Sequence, residues 1–147
     1  MTNYREEKMA LEFSLSSDEK LYKEGSATHL KSMINGMQGY VYLTSTRLVF
    51  CSRGLFFNSA LGQIIQLISK PKGIDFEIPL TNILSIAKES HGFASKYAFK
   101  IAGSEGYAII FTTGSDKWIE AIVAAKEASS SGISTKKIGD LIEFVTA

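Results

Sequence analysis

From Leu21 the pattern of apolar and polar residues becomes β-like, with short runs rich in aromatic and β-branched residues divided by turn residues. The run Tyr22 to Met33 reads as a long first strand, bent at Gly25, and Asn35-Gly36 supplies a tight turn after it. Gly39–Thr44 and Arg47–Cys51 are dense in aromatic and β-branched residues, and the short polar break Ser45-Thr46 makes them a hairpin. Four more strands are predicted at Ile74–Pro79, Ile83–Glu89, Tyr97–Ala102 and Gly106–Thr112. In the third of these, Tyr97, Phe99 and Ile101 point one way and Ala98, Lys100 and Ala102 the other. The turn Gly103-Ser104-Glu105-Gly106 links it to the fourth.

Three segments break the pattern. Residues 55–72 are rich in apolar side chains, and Leu61, Ile64, Ile65 and Ile68 follow helical spacing, so a short amphipathic helix is predicted after strand 3. Around Thr113–Asp116 the period changes again. Ser115 or Asp116 is the expected N-cap of a helix whose inner face carries Trp118, Ile122 and Ala125. Ser129-Ser130-Ser131-Gly132 reads as a linker, and the tail from Ser134 to Ala147 as a second amphipathic helix, with Ile138, Leu141, Ile142 and Val145 at helical spacing. Residues 1–17 form a charged, Ser-rich leader in which Met9, Leu11, Phe13 and Leu15 hint at an extended piece. The expected organisation is a leader over 1–17, a domain over 18–128 and a linker plus helix over 129–147.

A run of short strands followed by one Trp-bearing helix favours an antiparallel barrel or sandwich whose open end the helix plugs. Trp118 and Ile122 are the expected plug. The length of 147 residues suits one core. The net charge of +1 removes the concentrated Lys/Arg excess of a general nucleic-acid binder. The single cysteine, Cys51, allows no intrachain disulfide and sits in an apolar run, where a small buried side chain is expected. The N-terminus shows no apolar signal core, and a cytoplasmic protein, peripheral at a membrane if it binds one, is expected. No paired carboxylates, nucleophile–base pair or metal-ligand spacing involves His29, His91 or Cys51, so a non-enzymatic chain without a cofactor is expected.

The segment Gly39-Tyr40-Val41-Tyr42-Leu43-Thr44-Ser45-Thr46-Arg47-Leu48-Val49-Phe50 resembles the G-x-aromatic-L-T-x-x-R-L-hydrophobic-F hairpin of GRAM domains, members of the pleckstrin-homology-like superfamily. Phe76-Glu77-Ile78-Pro79-Leu80-Thr81-Asn82-Ile83-Leu84-Ser85-Ile86 is similar to the I-P-L-x-x-I-x-x-I segment of that family, and Asp116–Ile122 to its closing Trp helix. The resemblance spans roughly residues 18–128. It implies a mainly β fold: a seven-stranded, partly open antiparallel barrel capped by a C-terminal helix. It also implies a docking role, toward phosphoinositides, other anionic lipids or proteins.

By the same resemblance, an inositol phosphate would be held near the first strand–strand loop. Lys31, Arg47 and Arg53 are the candidate headgroup ligands, although the loop Met33–Gly39 is itself uncharged. The family pattern leaves the stretch after strand 3 unexplained. Phe56, Phe57, Leu61, Ile64, Ile65 and Ile68, with Lys70 and Lys72 behind them, form the candidate interaction or membrane surface. Packing on the domain itself, contact with a protein or a second copy, and contact with an anionic membrane all stay open for it. The leading expectation is a docking module acting through a protein partner or as a homo-oligomer, and the alternative is peripheral binding to anionic lipid or phosphoinositide.

Overall fold

The first strand, β1 (Leu21–Leu30), lies in the middle of the sheet and joins its two halves. The computed structural model describes residues 13–31, 36–54, 74–91, 94–130 and 132–146. After β1 come β2 (Gly36–Thr44), β3 (Arg47–Gly54), β4 (Phe76–Pro79), a 3-10 turn over Leu80–Asn82, β5 (Ile83–His91), β6 (Ala94–Ile101) and β7 (Tyr107–Phe111). Helix α1 (Ser115–Ser129) follows, and then β8 (Ile133–Ile138) and β9 (Leu141–Thr146). All neighbouring strands are antiparallel, in the order β4-β3-β2-β1-β7-β6-β5-β9-β8.

Alternation sorts the side chains. Ala27, Val41, Leu43, Leu48, Phe50, Ile86, Phe99 and Ile109 point into one core. The β2–β3 hairpin is buried on its outer face as well. There Tyr42, Val49 and Cys51 form a second cluster under Phe13 and Leu21, which explains the unbroken apolar run in β3. Cys51 is fully buried, as expected.

Helix α1 closes one end of the barrel. Trp118 is 3% exposed and stacks on Phe111 with ring centroids 5.0 Å apart. Ile122 and Ala125 continue that inner face. The pairing of β1 with β2 runs unbroken through Gly25, and the register irregularity falls between Leu21 and Lys23. A Cβ at Gly25 would stand 3.3 Å from the Trp118 ring, so the glycine makes room for the indole. The helix starts after Gly114, in left-handed conformation, with no side-chain cap from the expected Ser115 or Asp116.

The tail departs most from expectation. Residues 134–147 were expected to be helical, but the described tail is the hairpin β8–β9, which brings the sheet to nine strands instead of seven. Gly139, at φ +58°, and Asp140 form its turn, and Ile138 and Leu141 face each other across it. The spacing 138, 141, 142, 145 therefore mimicked a helix while spanning a turn. β-branched Ile133, Thr135, Ile138, Ile142, Val145 and Thr146 suit strands. Among the described residues the first strand runs to Leu30, and its expected end, Met33, lies outside them. The expected helix after strand 3, with Phe56, Phe57, Leu61, Ile64, Ile65, Ile68, Lys70 and Lys72, lies outside the described residues.

Candidate functional site

Strand register assigns each chain reversal to one end of the barrel. Leu30 pairs with Gly36 and Ala108, and Gln38 pairs with Gly54. The β1–β2 connection, the points where segment 55–73 leaves and returns, and the β6–β7 turn therefore share one end. Leu21 pairs with Thr44, so the β2–β3 turn lies at the other end, beside α1. A strand of ten residues separates the two ends by roughly 30 Å.

The three candidate headgroup ligands are divided by this geometry. Lys31 lies at the loop end and is exposed. Arg53, described only as backbone, sits at the same end, near the close of β3. Arg47 stands at the helix end, so the expected trio does not converge on one ligand. Its guanidinium is also engaged within the protein. Nε donates to Glu19 Oε2 at 2.8 Å and Nη2 to Glu19 Oε1 at 3.1 Å. Nη2 also donates to the Ser14 carbonyl at 2.7 Å, and Nη1 to Glu77 at 3.1 Å. The guanidinium lies 4.8 Å from the Phe13 ring centroid.

Glu19 is the centre of this network, and its side chain is fully buried. Thr44 and Thr46 donate their hydroxyls to Oε2, and the Ser16 N–H donates to Oε1 at 3.0 Å. Burial alone would raise the Glu19 carboxyl. The hydrogen bonds from Arg47, Thr44, Ser16 and Thr46 overcome burial and hold it down to about 2. Nothing around Glu19 in the sequence marks it. Its partner is 28 positions away, and only the Thr44 and Arg47 of the hairpin motif hint at an acceptor.

The linkage has a definite sign. The folded carboxyl titrates below its ordinary value, so its stabilisation is complete above about pH 4.5 and is lost as the pH falls toward 2. The full contribution is about 3 kcal/mol, and about 2 kcal/mol is gone by pH 3. Urea unfolding at pH 7 and pH 3 should show that loss, and Glu19→Gln should reduce the difference between the two pH values. An unchanged acid limb in the variant would count against the assignment.

The loop end carries an aromatic group that sequence reasoning missed. Phe76 and Tyr107 stack with centroids 3.9 Å apart, and Phe50 stacks on Phe76 at 5.2 Å. His29, read as a surface or strand histidine, meets all three rings edge-on at 4.8 to 5.8 Å. Its Nδ1 is buried without a hydrogen-bond partner among the described residues. Burial pushes the His29 imidazole below its ordinary value; Asp75 opposes that and Lys31 adds to it. The available signal was parity, because Ala27 and His29 share the inward face of β1. Beside this group opens a cavity of about 510 Å³ lined by His29, Lys31, Phe99, Glu105 and Tyr107, among others. A smaller cleft of about 340 Å³ lies between the first turn of α1 and the β8–β9 turn, where Lys88 and Lys137 alternate with Asp116, Glu120 and Asp140.

Lys126 was also missed. It lies on α1 yet is buried, donates from Nζ to the Leu80 carbonyl at 2.8 Å, and sits 5.5 Å from the Phe144 ring centroid. Burial lowers its pKa. Among the described residues, no group of three or more His, Cys, Asp or Glu side chains is placed to hold a metal ion. No described helix is long and apolar enough to cross a membrane.

No family model matches the chain, and no curated protein matches it. Solved structures do. The linker-DH/PH fragment of p115-RhoGEF aligns at TM-score 0.50 and 18% identity, over 77% of this chain and 30% of that one. The DH/PH domains of PDZ-RhoGEF, in complex with activated RhoA, align at TM-score 0.54 and 15% identity, over 76% of this chain and 31% of that one. The DH/PH domain of human ARHGEF11, in a ternary complex with human RhoA and its inhibitor, aligns at 0.52 and 15%, over 75% and 30%. The chain thus spans about a third of the length of the structures it matches. Identities this low bear on fold alone, and that fold is pleckstrin-homology-like: an antiparallel β-structure closed by a single helix near its C-terminal end.

Proposed function

We propose that this chain is a non-enzymatic docking module of the GRAM type, acting by self-association or by contact with a protein partner. The observation that carries the reading is placement. The apolar segment with Phe56, Phe57, Leu61, Ile64, Ile65 and Ile68 is rooted at Gly54 and Ile74, at the end of the barrel that α1 does not cover. Ile74, its last neighbour, is 40% exposed. The tail adds to this, because β8 is an edge strand and Ile138 and Val145 are exposed on its hairpin. Support for the GRAM type comes from the motif residues Thr44 and Arg47, which together hold Glu19. Sedimentation of the full chain should show a concentration-dependent dimer, and serine at Phe56, Phe57, Ile64 and Ile68 should weaken it. A strict monomer would reject self-association.

Peripheral binding to an anionic membrane is the second reading. It is favoured by Lys31 and the end of β3 at the same loop end, with Lys70 and Lys72 in the segment rooted there. Its test is co-sedimentation with anionic and neutral vesicles at low salt, where electrostatic attraction is strongest. Equal failure with both would reject it.

A further inference from the structure

The β8–β9 hairpin sits on the domain much as an extended peptide sits in a groove. Strands β1 to β7 form a continuous antiparallel run with α1 packed on it, and the hairpin adds to the β5 edge of that run. β9 pairs with β5 at three positions, Ser85↔Glu143, Ile86↔Ile142 and Ala87↔Leu141, and the Lys88 N–H extends the ladder to the Asp140 carbonyl at 2.9 Å. One aromatic anchor, Phe144, drops between β5 and α1, where the Lys126 ammonium faces its ring. Ile142 and Ile133 pack against the core beside it. Thr135 donates to Glu127 of α1 at 2.6 Å.

The tether is short. α1 ends at Ser129 and β8 begins at Ile133. Gly132 holds φ at +79°, a left-handed conformation that other residues rarely adopt. Closing the hairpin back onto its own domain therefore needs that glycine geometry, whereas an extended hinge does not.

We propose that the groove between β5 and α1 accepts residues 133–146 of a second copy of this chain, so that two chains exchange hairpins and form a reciprocal dimer. The groove already fits this sequence, and the closed and exchanged forms share every contact made by the hairpin. They differ only in the hinge and in the entropy of association, which is the condition for domain swapping. This inference rests on the self-association reading and gives it a mechanism.

Chains with one added cysteine each test it. Ser85→Cys in one full-length chain and Glu143→Cys in another place thiols on directly opposed residues of an antiparallel pair, a separation a disulfide spans. The two chains are refolded together at rising concentration and oxidised, and the linkage is mapped by peptide analysis so that Cys51 does not confuse it. The expected result is an interchain 85–143 disulfide whose yield rises with concentration. Gly132→Val should favour the exchanged form by about tenfold in its equilibrium constant. A chain carrying both cysteines is the control for register. If that control forms the link within one chain while the mixed chains, each with one added cysteine, never form it, exchange is overturned; a control that forms no link at all overturns the groove itself. A dimer by sedimentation without the 85–143 link would remove exchange and leave self-association standing, and a strict monomer would remove both.

Discussion

Arg47→Ala will destabilise the domain by about 3–5 kcal/mol, a large part of the 5–15 kcal/mol that holds a typical domain together. The reason lies in what remains. Glu19 is fully buried, and without Arg47 it keeps only the hydroxyls of Thr44 and Thr46 and one backbone N–H. A carboxylate in that position must stay charged without its cation or take up a proton, and both are costly. Arg47→Lys should recover little, because one ammonium cannot replace a planar fork reaching Glu19, Glu77 and the Ser14 carbonyl together. Adding Glu19→Gln to Arg47→Ala should return a substantial part of the loss, since the stranded charge is gone. Urea midpoints of the four proteins measure this directly. A loss below about 1 kcal/mol in Arg47→Ala would mean that the network behaves as a surface ion pair.

Trp118→Ala will cost a similar amount, about 3–5 kcal/mol, and lower the melting temperature by about 10 °C. The indole fills the space between Phe111 and the bare backbone of Gly25, and the Lys23 ammonium lies 5.2 Å from its centroid. Its removal leaves a hole at the point where α1 meets the barrel. Leu, smaller but still apolar, should be intermediate. Because this is the only tryptophan in the chain, circular dichroism must follow the variant, while indole fluorescence follows the parent. A Trp118→Ala protein that melts like the parent would show that α1 is held by Ile122 and Lys126 and not by the plug.

Both effects concern the scaffold, of which the sequence made the strands and the plug legible but not the Glu19 network. The Gly39–Phe50 hairpin was readable because strand alternation, aromatic content and a polar break agree there. Trp118, Ile122 and Ala125 were readable because one face of a helix repeats every turn. The tail was misread because Ile138 and Leu141, neighbours across a hairpin, are three apart in sequence, which is also one helical turn. Gly139-Asp140 and the β-branched residues on either side of it are the signals that decide between the two.

The candidate site was much less legible. Arg47 reads as a candidate headgroup ligand because Glu19, which engages it, sits in a charged stretch with no pattern around it. Nothing in the sequence marks Lys126, since the Leu80 carbonyl that receives it belongs to a distant turn. The aromatic setting of His29 was not readable because Phe76 and Tyr107 reach it from two other strands. In each case the decisive partner is set by tertiary contact, which local spacing does not encode.

The central position of β1 has a kinetic consequence. β1 to β4 can form by successive pairing of neighbours, and so can β5 to β7, but among the described residues the strand ladder that joins the two halves is β1 with β7. Ala27 and Phe111, partners in that ladder, lie most of the chain apart, so joining them carries the largest loop-closure entropy in the barrel. Helix α1 follows β7 directly and reaches Gly25 through Trp118. The residue that plugs the finished barrel therefore also stands at the seam whose closure limits how fast the barrel can form.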